Sequence, residues 1–581
     1  MIQLGDPNAL TQSQYTQEGS VTATKRLQIV AFLFSTILAV GVHSAPGPQF
    51  AKDLNEQNSK QIDVIIQFKH SHKSNEKEDD EAIRQVGGVF KAELGLIDGG
   101  LYSVPENRLE HLSKNPNVLY ISQDRPLTSL LNNTALAVNA NIAWSQGWDG
   151  TGIGVAVIDS GVSNDKDFQI SGKSTSRISY SQAFYGGAKT YDEYGHGTHV
   201  AGIVASSGTN STGSQYIYTF KGIAPNANLI NLRALDQNGS GTDSTVISAI
   251  QAAIQLKSKY NIRVINLSLG RPVFESYKLD PLCQAVEAAW KAGIVVVVAS
   301  GNSGRDNSQG TNGYATITSP GNDPYVITVG AMKTMGTPTR NDDLITSYSS
   351  KGPTLFDHVV KPDIVAPGNR TVSVLDAKGS LQFAYPANDV PASYYQKNPS
   401  NSGSPYYILS GTSMAAAVVS GGVAVLLHTQ PNLTPDQVKA RLMKTASKSF
   451  PAYSTATDPI TGATYASQYD IFTVGAGYLD VAAALADSDV ATGNALSPTA
   501  AYDSSNGNVY LVFGSGAVWG SGAVWGTNVF ISGSGAVWGS GAAWGTNTDS
   551  GFGAVWGSGA VWGSSTQQSV ESINVAITGE N

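Results

Sequence analysis

The chain has 581 residues, more than one ordinary domain holds and enough for two to four. It is 41% hydrophobic and only 14% charged, with a formal charge of -8; that is a globular composition, and nothing in it points to a nucleic-acid partner. A single cysteine, Cys283, excludes an intrachain disulfide, and its apolar helical surroundings mark it as a small buried hydrophobe rather than a nucleophile or ligand.

The N-terminal stretch reads as an export signal over 1–44. Lys25 and Arg26 precede an apolar run that extends to Val42, and the small residues Val42 and Ser44 stand at the -3 and -1 positions of a cleavage after Ser44. An uncleaved anchor is the alternative, and the polar stretch before Lys25 is long for a signal peptide.

Residues 45–128 follow as a unit of their own, with a folded core over 61–124. The run QIDVIIQF is a predicted strand, and 73–86 is charged and helical in pattern. Residues 89–94 and 100–104 form a strand pair, 106–112 a short helix and 118–121 a last strand. That β-α-β-β-α-β order is the split βαβ arrangement, ferredoxin-like, and so small a layer buries only a modest core.

An α/β pattern begins after 129 and continues to about 490. Apolar runs of strand length at 153–158, 229–234, 264–267, 294–299, 326–329 and 364–366 alternate with amphipathic helices at 281–292 and in a segment capped by Asp243. Near-continuous apolar strands between helices predict an open, mostly parallel sheet covered on both faces.

Beyond 491 the composition shifts again. From Gly514 the chain repeats a unit close to G-S-G-A-V-W, carrying Trp519, Trp525, Trp538, Trp544, Trp556 and Trp562. Pairs six apart share one side of an extended strand, and this much glycine disfavours helix. A self-packing repeat or spacer is the favoured reading of this extension over 491–581. Stacking of exposed tryptophan on a cell surface or polysaccharide is the second.

Three segments carry the chemistry. Asp159, in GIGVAVIDSGV, stands just past a buried strand, where open parallel sheets place their sites. Alone it also reads as a helix cap or a metal ligand. His196, in DEYGHGTHVAG, sits between two glycines at the start of an apolar helix; His199 three residues on also permits a metal pair, but no glutamate lies between them and no third ligand is apparent. Ser413, in ILSGTSMAAAVVSGG, opens a nearly all-apolar helix, with its Oγ beside unpaired N–H groups. Alone it reads as an N-cap about as well. Together they fit one mechanism: a weak hydroxyl nucleophile, a near-neutral base, and a carboxylate that fixes the base's tautomer. Asn302, in ASGNSG directly after the strand IVVVVA, supplies a side-chain N–H for the oxyanion.

In the order Asp159, His196, Ser413, with VIDSGV, HGTHVAG, GTSMA and SGNSG around them, the chain resembles the subtilisin-like serine proteases over about 130–490. The resemblance implies a secreted endopeptidase that binds peptide as an extended strand. Ser268, Leu269 and Gly270 would form one rim of the cleft, and Ala299, Ser300 and Gly301 would wall the pocket for the side chain before the scissile bond. The facing wall, ATITSPG, has no acid, so a broad or apolar preference is expected. The resemblance also implies that 61–124 is an inhibitor-type propeptide that aids folding and is removed by self-cleavage between 125 and 135. Structural calcium is common in the family; no compact acidic cluster supports it here, and no cofactor is expected for the chemistry. The chain departs from the family's GTSMASPHVAG at Ala417 and Val418, and activity is expected to survive that change with an altered helix geometry. Ester hydrolysis, or a degenerate protease kept as a surface or binding protein, are the competing readings.

Overall fold

The computed structural model describes Leu54, residues 59–124, residues 133–512 apart from 186, 188, 309, 400–402, 459–460 and 504–507, and residues 573–580. The export signal and the tryptophan repeat lie outside the described residues. The chain divides into two compact units, Met1–Leu127 and Thr128–Asn581.

In the first unit, strands β1 (Gln61–Phe68), β2 (Val89–Leu94), β3 (Gly99–Pro105) and β4 (Val118–Gln123) form one antiparallel sheet in the order β2-β3-β1-β4. Helix α1 (His72–Gln85) joins the first two strands, and α2 (Leu109–Ser113) joins the last two. The order is the expected β-α-β-β-α-β. Burial alternates along β1 and β3, as a sheet covered on one face requires. The buried face holds Val64, Ile66, Tyr102, Val104, Val118 and Ile121, packed against Ile83, Leu109 and Leu112.

The second unit is built on an eight-stranded mixed sheet. Its strands are β5 (Gly154–Asp159), β6 (Ile178–Ala183), β7 (Asn228–Arg233), β8 (Ile262–Leu267), β9 (Val295–Ala299), β10 (Ile327–Lys333), β11 (Leu344–Ile345) and β12 (Ile364–Pro367). The order is β11-β10-β9-β8-β5-β7-β6, with β12 also beside β10; all pairs are parallel except β10 with β11. Strands β5, β9 and β10 are buried at every residue, because helices cover both faces. Those helices include α3 (His196–Ala205), α4 (Asp243–Tyr260), α5 (Pro281–Lys291) and α6 (Thr412–Thr429). Helix α6 packs on β8, β9, β10 and α3, and nearly all of it is buried.

Two local expectations change. Asp243 does not cap α4: Thr242 does, its Oγ1 and that of Thr245 closing a reciprocal box, while Asp243 stands in the first turn, where a carboxylate suits the helix dipole. Of the extension past 490, the described residues also stay with the second unit, with Ala495, Ala500 and Val575 in its core. Cys283 is sealed inside α5, its thiol 3.3 Å from Asn322 Oδ1, and burial raises its pKa far above that of a free thiol.

Candidate active site

Strand β5 ends at Asp159, at the carboxyl edge of the parallel strands. The carboxylate is fully buried, and its Oδ1 lies 2.8 Å from Nδ1 of His196. The same oxygen accepts the Ser160 backbone N–H at 2.7 Å and the Ser160 hydroxyl at 3.2 Å. Three donors on one carboxylate oxygen hold it in a single orientation.

His196 opens α3, which starts where it does for two reasons. Asp192 accepts backbone N–H groups of Tyr194, Gly195 and Thr198, so it caps the helix from four residues upstream of His196. Gly197 lets the helix start press against the end of β5: a Cβ there would stand 2.2 Å from the Gly161 carbonyl oxygen and 3.1 Å from Asp159 Cβ. Burial disfavours the charged ring of His196, but the Asp159 charge and hydrogen bond, with Asp192 behind them, outweigh it and raise the imidazole pKa above its ordinary value. His199 has a different task. Its Nε2 lies 3.1 Å and 3.0 Å from the Thr371 and Tyr407 carbonyls, and burial with the neighbouring His196 pushes its pKa down to about 3. It is a neutral core histidine that ties α3 to the strand pair Thr371–Val374 and Tyr406–Leu409.

Ser413 lies in the first turn of α6 and is partly exposed. Its hydroxyl donates to the Ser268 carbonyl at 3.2 Å, and among the described residues no hydrogen bond joins it to His196. The Ser413 backbone N–H has no intrahelical acceptor at this position. Asn302 is oriented by its neighbour: its Oδ1 accepts the Thr412 N–H at 3.0 Å and the Thr412 hydroxyl at 3.1 Å, which leaves Nδ2 as the free end of the amide. Gly411, at φ 143°, makes the turn into α6 in a conformation that side chains rarely adopt, and a Cβ there would stand 3.2 Å from Asn302 Nδ2.

A hydrogen-bonded thread that sequence reasoning missed runs beneath the serine. Ser420 donates to Asn266 Oδ1 at 2.8 Å, Asn266 Nδ2 donates to Ser268 Oγ at 2.9 Å, and Ser268 Oγ donates to the Ser413 carbonyl at 2.8 Å. Asn266 and Ser420 are fully buried, so the thread holds the Ser268 rim to the α6 turn where water cannot compete. A buried asparagine inside an otherwise apolar strand was the signal for it. Asp192 was visible as the acid of DEYGHGT, but nothing in the sequence showed which amides it would serve.

A cavity of about 370 Å³ opens beside Ser413 and Asn302. Ser268, Leu269, Gly270, Ala299 and Gly301 line it together with Ala315–Thr318 and Leu355, and none of its lining residues is acidic. Of the expected pocket residues, Ser300 is not in the lining, and the facing wall ends at Thr318 without reaching Ser319; Ser300 is buried behind the wall, where its carbonyl accepts the Thr318 N–H at 3.1 Å. Helix α6 runs unbroken through Ala417 and Val418, both fully buried.

Among the described residues no three His, Cys, Asp or Glu side chains gather as a metal-binding group. Asp165 and Asp167 are two neighbouring acids that a calcium ion would need free. Asp167 Oδ1 accepts the Asn210 N–H, and Oδ2 accepts the Ser206 and Tyr406 hydroxyls at 2.9 Å and 3.0 Å. Burial, then the adjacent Asp165, raises the Asp167 carboxyl pKa to about 6 despite these donors. Hydrogens already point where a cation would stand, so this pair does not fit one.

Comparison with known proteins gives a consistent picture. The model of the subtilase family, Peptidase_S8, matches residues 150–477. Serine protease AprX of Bacillus subtilis (strain 168) is 35% identical over 398 residues, covering 66% of this chain and 83% of that protein. Subtilisin E of the same organism is 31% identical over 396 residues, covering 67% and 86%. Subtilisin DY of Bacillus licheniformis is 35% identical over 310 residues, covering 53% and 89%.

Proposed function

The chain belongs to the subtilase family of serine endopeptidases, and on that premise we propose that it cuts peptide bonds through Asp159, His196 and Ser413, with Asn302 as an oxyanion donor. The observation that carries the reading is the 2.8 Å contact of a buried Asp159 with His196 at the same sheet edge where Ser413 and Asn302 share one cavity.

The chemistry follows from the atoms. Asp159 holds the proton on Nδ1 of His196 and leaves Nε2 free as a base. The Ser413 hydroxyl turns from the Ser268 carbonyl to His196, gives up its proton there, and bonds to the substrate carbonyl carbon. The charge on the carbonyl oxygen is met by Asn302 Nδ2–H and the Ser413 N–H. The imidazolium then protonates the departing amine, and a water repeats the sequence to release the acid. These steps use side chains and backbone groups alone, so we propose no cofactor for them.

Substrate would lie as a strand along Ser268–Gly270, with its side chain in the cavity. The lining supports a broad or apolar preference: Ala299, Ala315, Ile317 and Leu355 face it with no carboxylate to pair a lysine or arginine. Residues 45–128 act as a propeptide, a folding aid and inhibitor cut away by the enzyme itself; the separate small core of the first unit supports this. The basic-apolar-small pattern of 1–44 supports export, with retention at the cell surface as a variant. Expression beside Ser413→Ala tests the reading. The parent chain should lose its first 130 or so residues and cleave a casein-type substrate, and the variant should do neither. A variant processed at the parent's rate would defeat self-cleavage, and one that still cleaves casein would defeat the triad.

A further inference from the structure

Residues 573–580 pack against segments that neighbour Asn302 and Ser413 in the chain. Residues 573–578 form a short helical turn, Val575 is buried in the core of the second unit, and Glu580 is 1% exposed. The Glu580 carboxylate accepts from Arg305 Nη2 at 2.9 Å, from the Ser347 N–H at 2.8 Å and from the Ser347 hydroxyl, and lies 3.4 Å from Lys333 Nζ. Its backbone is gripped as firmly: Asn369 Oδ1 accepts the Glu580 N–H, and Asn369 Nδ2 donates to the Glu580 carbonyl. Upstream, the Ala576 carbonyl accepts the Ser410 N–H at 2.9 Å, and Asn388 donates to the Ile577 carbonyl at 2.7 Å. Gly579, at φ 61°, lies so close to Ser410 that a Cβ would stand 2.4 Å from its Oγ.

Two of these anchors are close in sequence to the chemistry. Arg305 lies three residues after Asn302, and Ser410 three before Ser413. The Arg305 guanidinium is held from three sides, by Glu580, by Asp458 and, through Nε, by Ser347. The loop between Asn302 and Arg305 rests on the same 347–350 segment, through Ser303 N–H to Ser350 Oγ and Gly304 N–H to the Tyr348 carbonyl. A buried carboxylate thus joins Arg305 to the segment on which the Asn302 loop rests.

We propose that residues 573–580 are a positioning element of the reaction centre. Glu580 fixes the Asn302 loop through Arg305 and Ser347, and Ala576 fixes the nucleophile turn through Ser410. The proposal rests on the reading of Asn302 and Ser413 given above.

The test measures kcat and KM on a chromogenic peptide with the mature enzyme. Glu580→Gln should lower kcat on the order of tenfold and leave KM within about twofold, because the defect lies in meeting the developing charge rather than in holding the strand. In an Asn302→Ala background the same substitution should cost little more, since both act on one donor. Ending the chain at Val512 should lower kcat at least as far, and a synthetic peptide of residues 573–581 should restore it saturably. Replacing 514–571 by a glycine-serine stretch of equal length should leave kcat intact. Should the truncated chain fail to fold, Glu580→Gln alone and in the Asn302→Ala background decides. Full kcat in the truncated chain or in Glu580→Gln, or losses that simply multiply with Asn302→Ala, would overturn the proposal. A silent Asn302→Ala in the full chain would instead sink the oxyanion reading on which it rests.

Discussion

The two units solve the problem of burying a sheet in different ways. In the first, β1 and β3 alternate buried and open residues, and Val89, Phe90, Leu119 and Tyr120 remain large exposed hydrophobics on β2 and β4. In the second, β5, β9 and β10 are buried on both sides, and α6 lies almost wholly inside. A sheet covered on one face leaves a small core of marginal stability; a sheet covered on both can hold a charged group such as Asp159 dry and in register. The difference teaches why the proposed reacting groups are all on the second unit. Its strand ends are fixed by packing on both faces, and its apolar depth makes each hydrogen bond there harder to break.

The largest effect that would sharpen this contrast is loss of the hydroxyl. Ser413→Ala should lower kcat on peptide substrates by roughly 10⁶-fold, and the first unit should stay attached, seen as an unshifted band. Next, Asn302→Ala should cost about 10²–10³ in kcat with KM little changed in steady-state assays. A packing experiment could break the contrast. Made in the uncleaved Ser413→Ala chain, Ile66→Ala and Ile265→Ala should each cost about 2–5 kcal/mol, since both side chains are fully buried. That sum rivals what a unit the size of the first can hold, so Ile66→Ala should remove its denaturation transition, whereas Ile265→Ala should only lower the midpoint of the second. Equal shifts in the two transitions would show that one-sided cover costs nothing.

The smallest effect is in pH. With its folded pKa raised, His196 remains protonated and unable to act as base to a pH above 6.5, so kcat/KM should climb with an acid limb centred above that value. Asp159→Asn should move the limb downward as well as cutting the rate. For stability the sign is opposite. A raised folded pKa makes the protonated ring a stabilising group whose contribution is full below the unfolded value near 6.5 and fades as pH rises through the folded one. Denaturation midpoints of the parent and a His196→Ala form should therefore converge as the solution is made alkaline.

Much of this architecture was legible in the chain. The strand IVVVVA and the run GIGVAVID read as strands buried on both faces, and QIDVIIQF read as a strand of the small unit. Strand β6 escaped notice because ISYSQA carries its polar residues where the sheet meets solvent. At the site, glycine-flanked His196 and Ser413 ahead of an apolar helix announced themselves by local pattern. Asn266 left a trace only as a polar break in an apolar strand, and Ser420 and Glu580 left none. Ser420 and Glu580 are ordinary polar residues made important by a partner 154 and 275 positions away, and separation of that kind leaves no periodic trace.

The lone thiol offers a practical dividend. Because Cys283 is shut inside α5 and resists ionisation there, an alkylating reagent can reach it only when the second unit opens. With no crosslink to reduce, its rate of labelling becomes a clock for that opening, and one that needs no engineered probe.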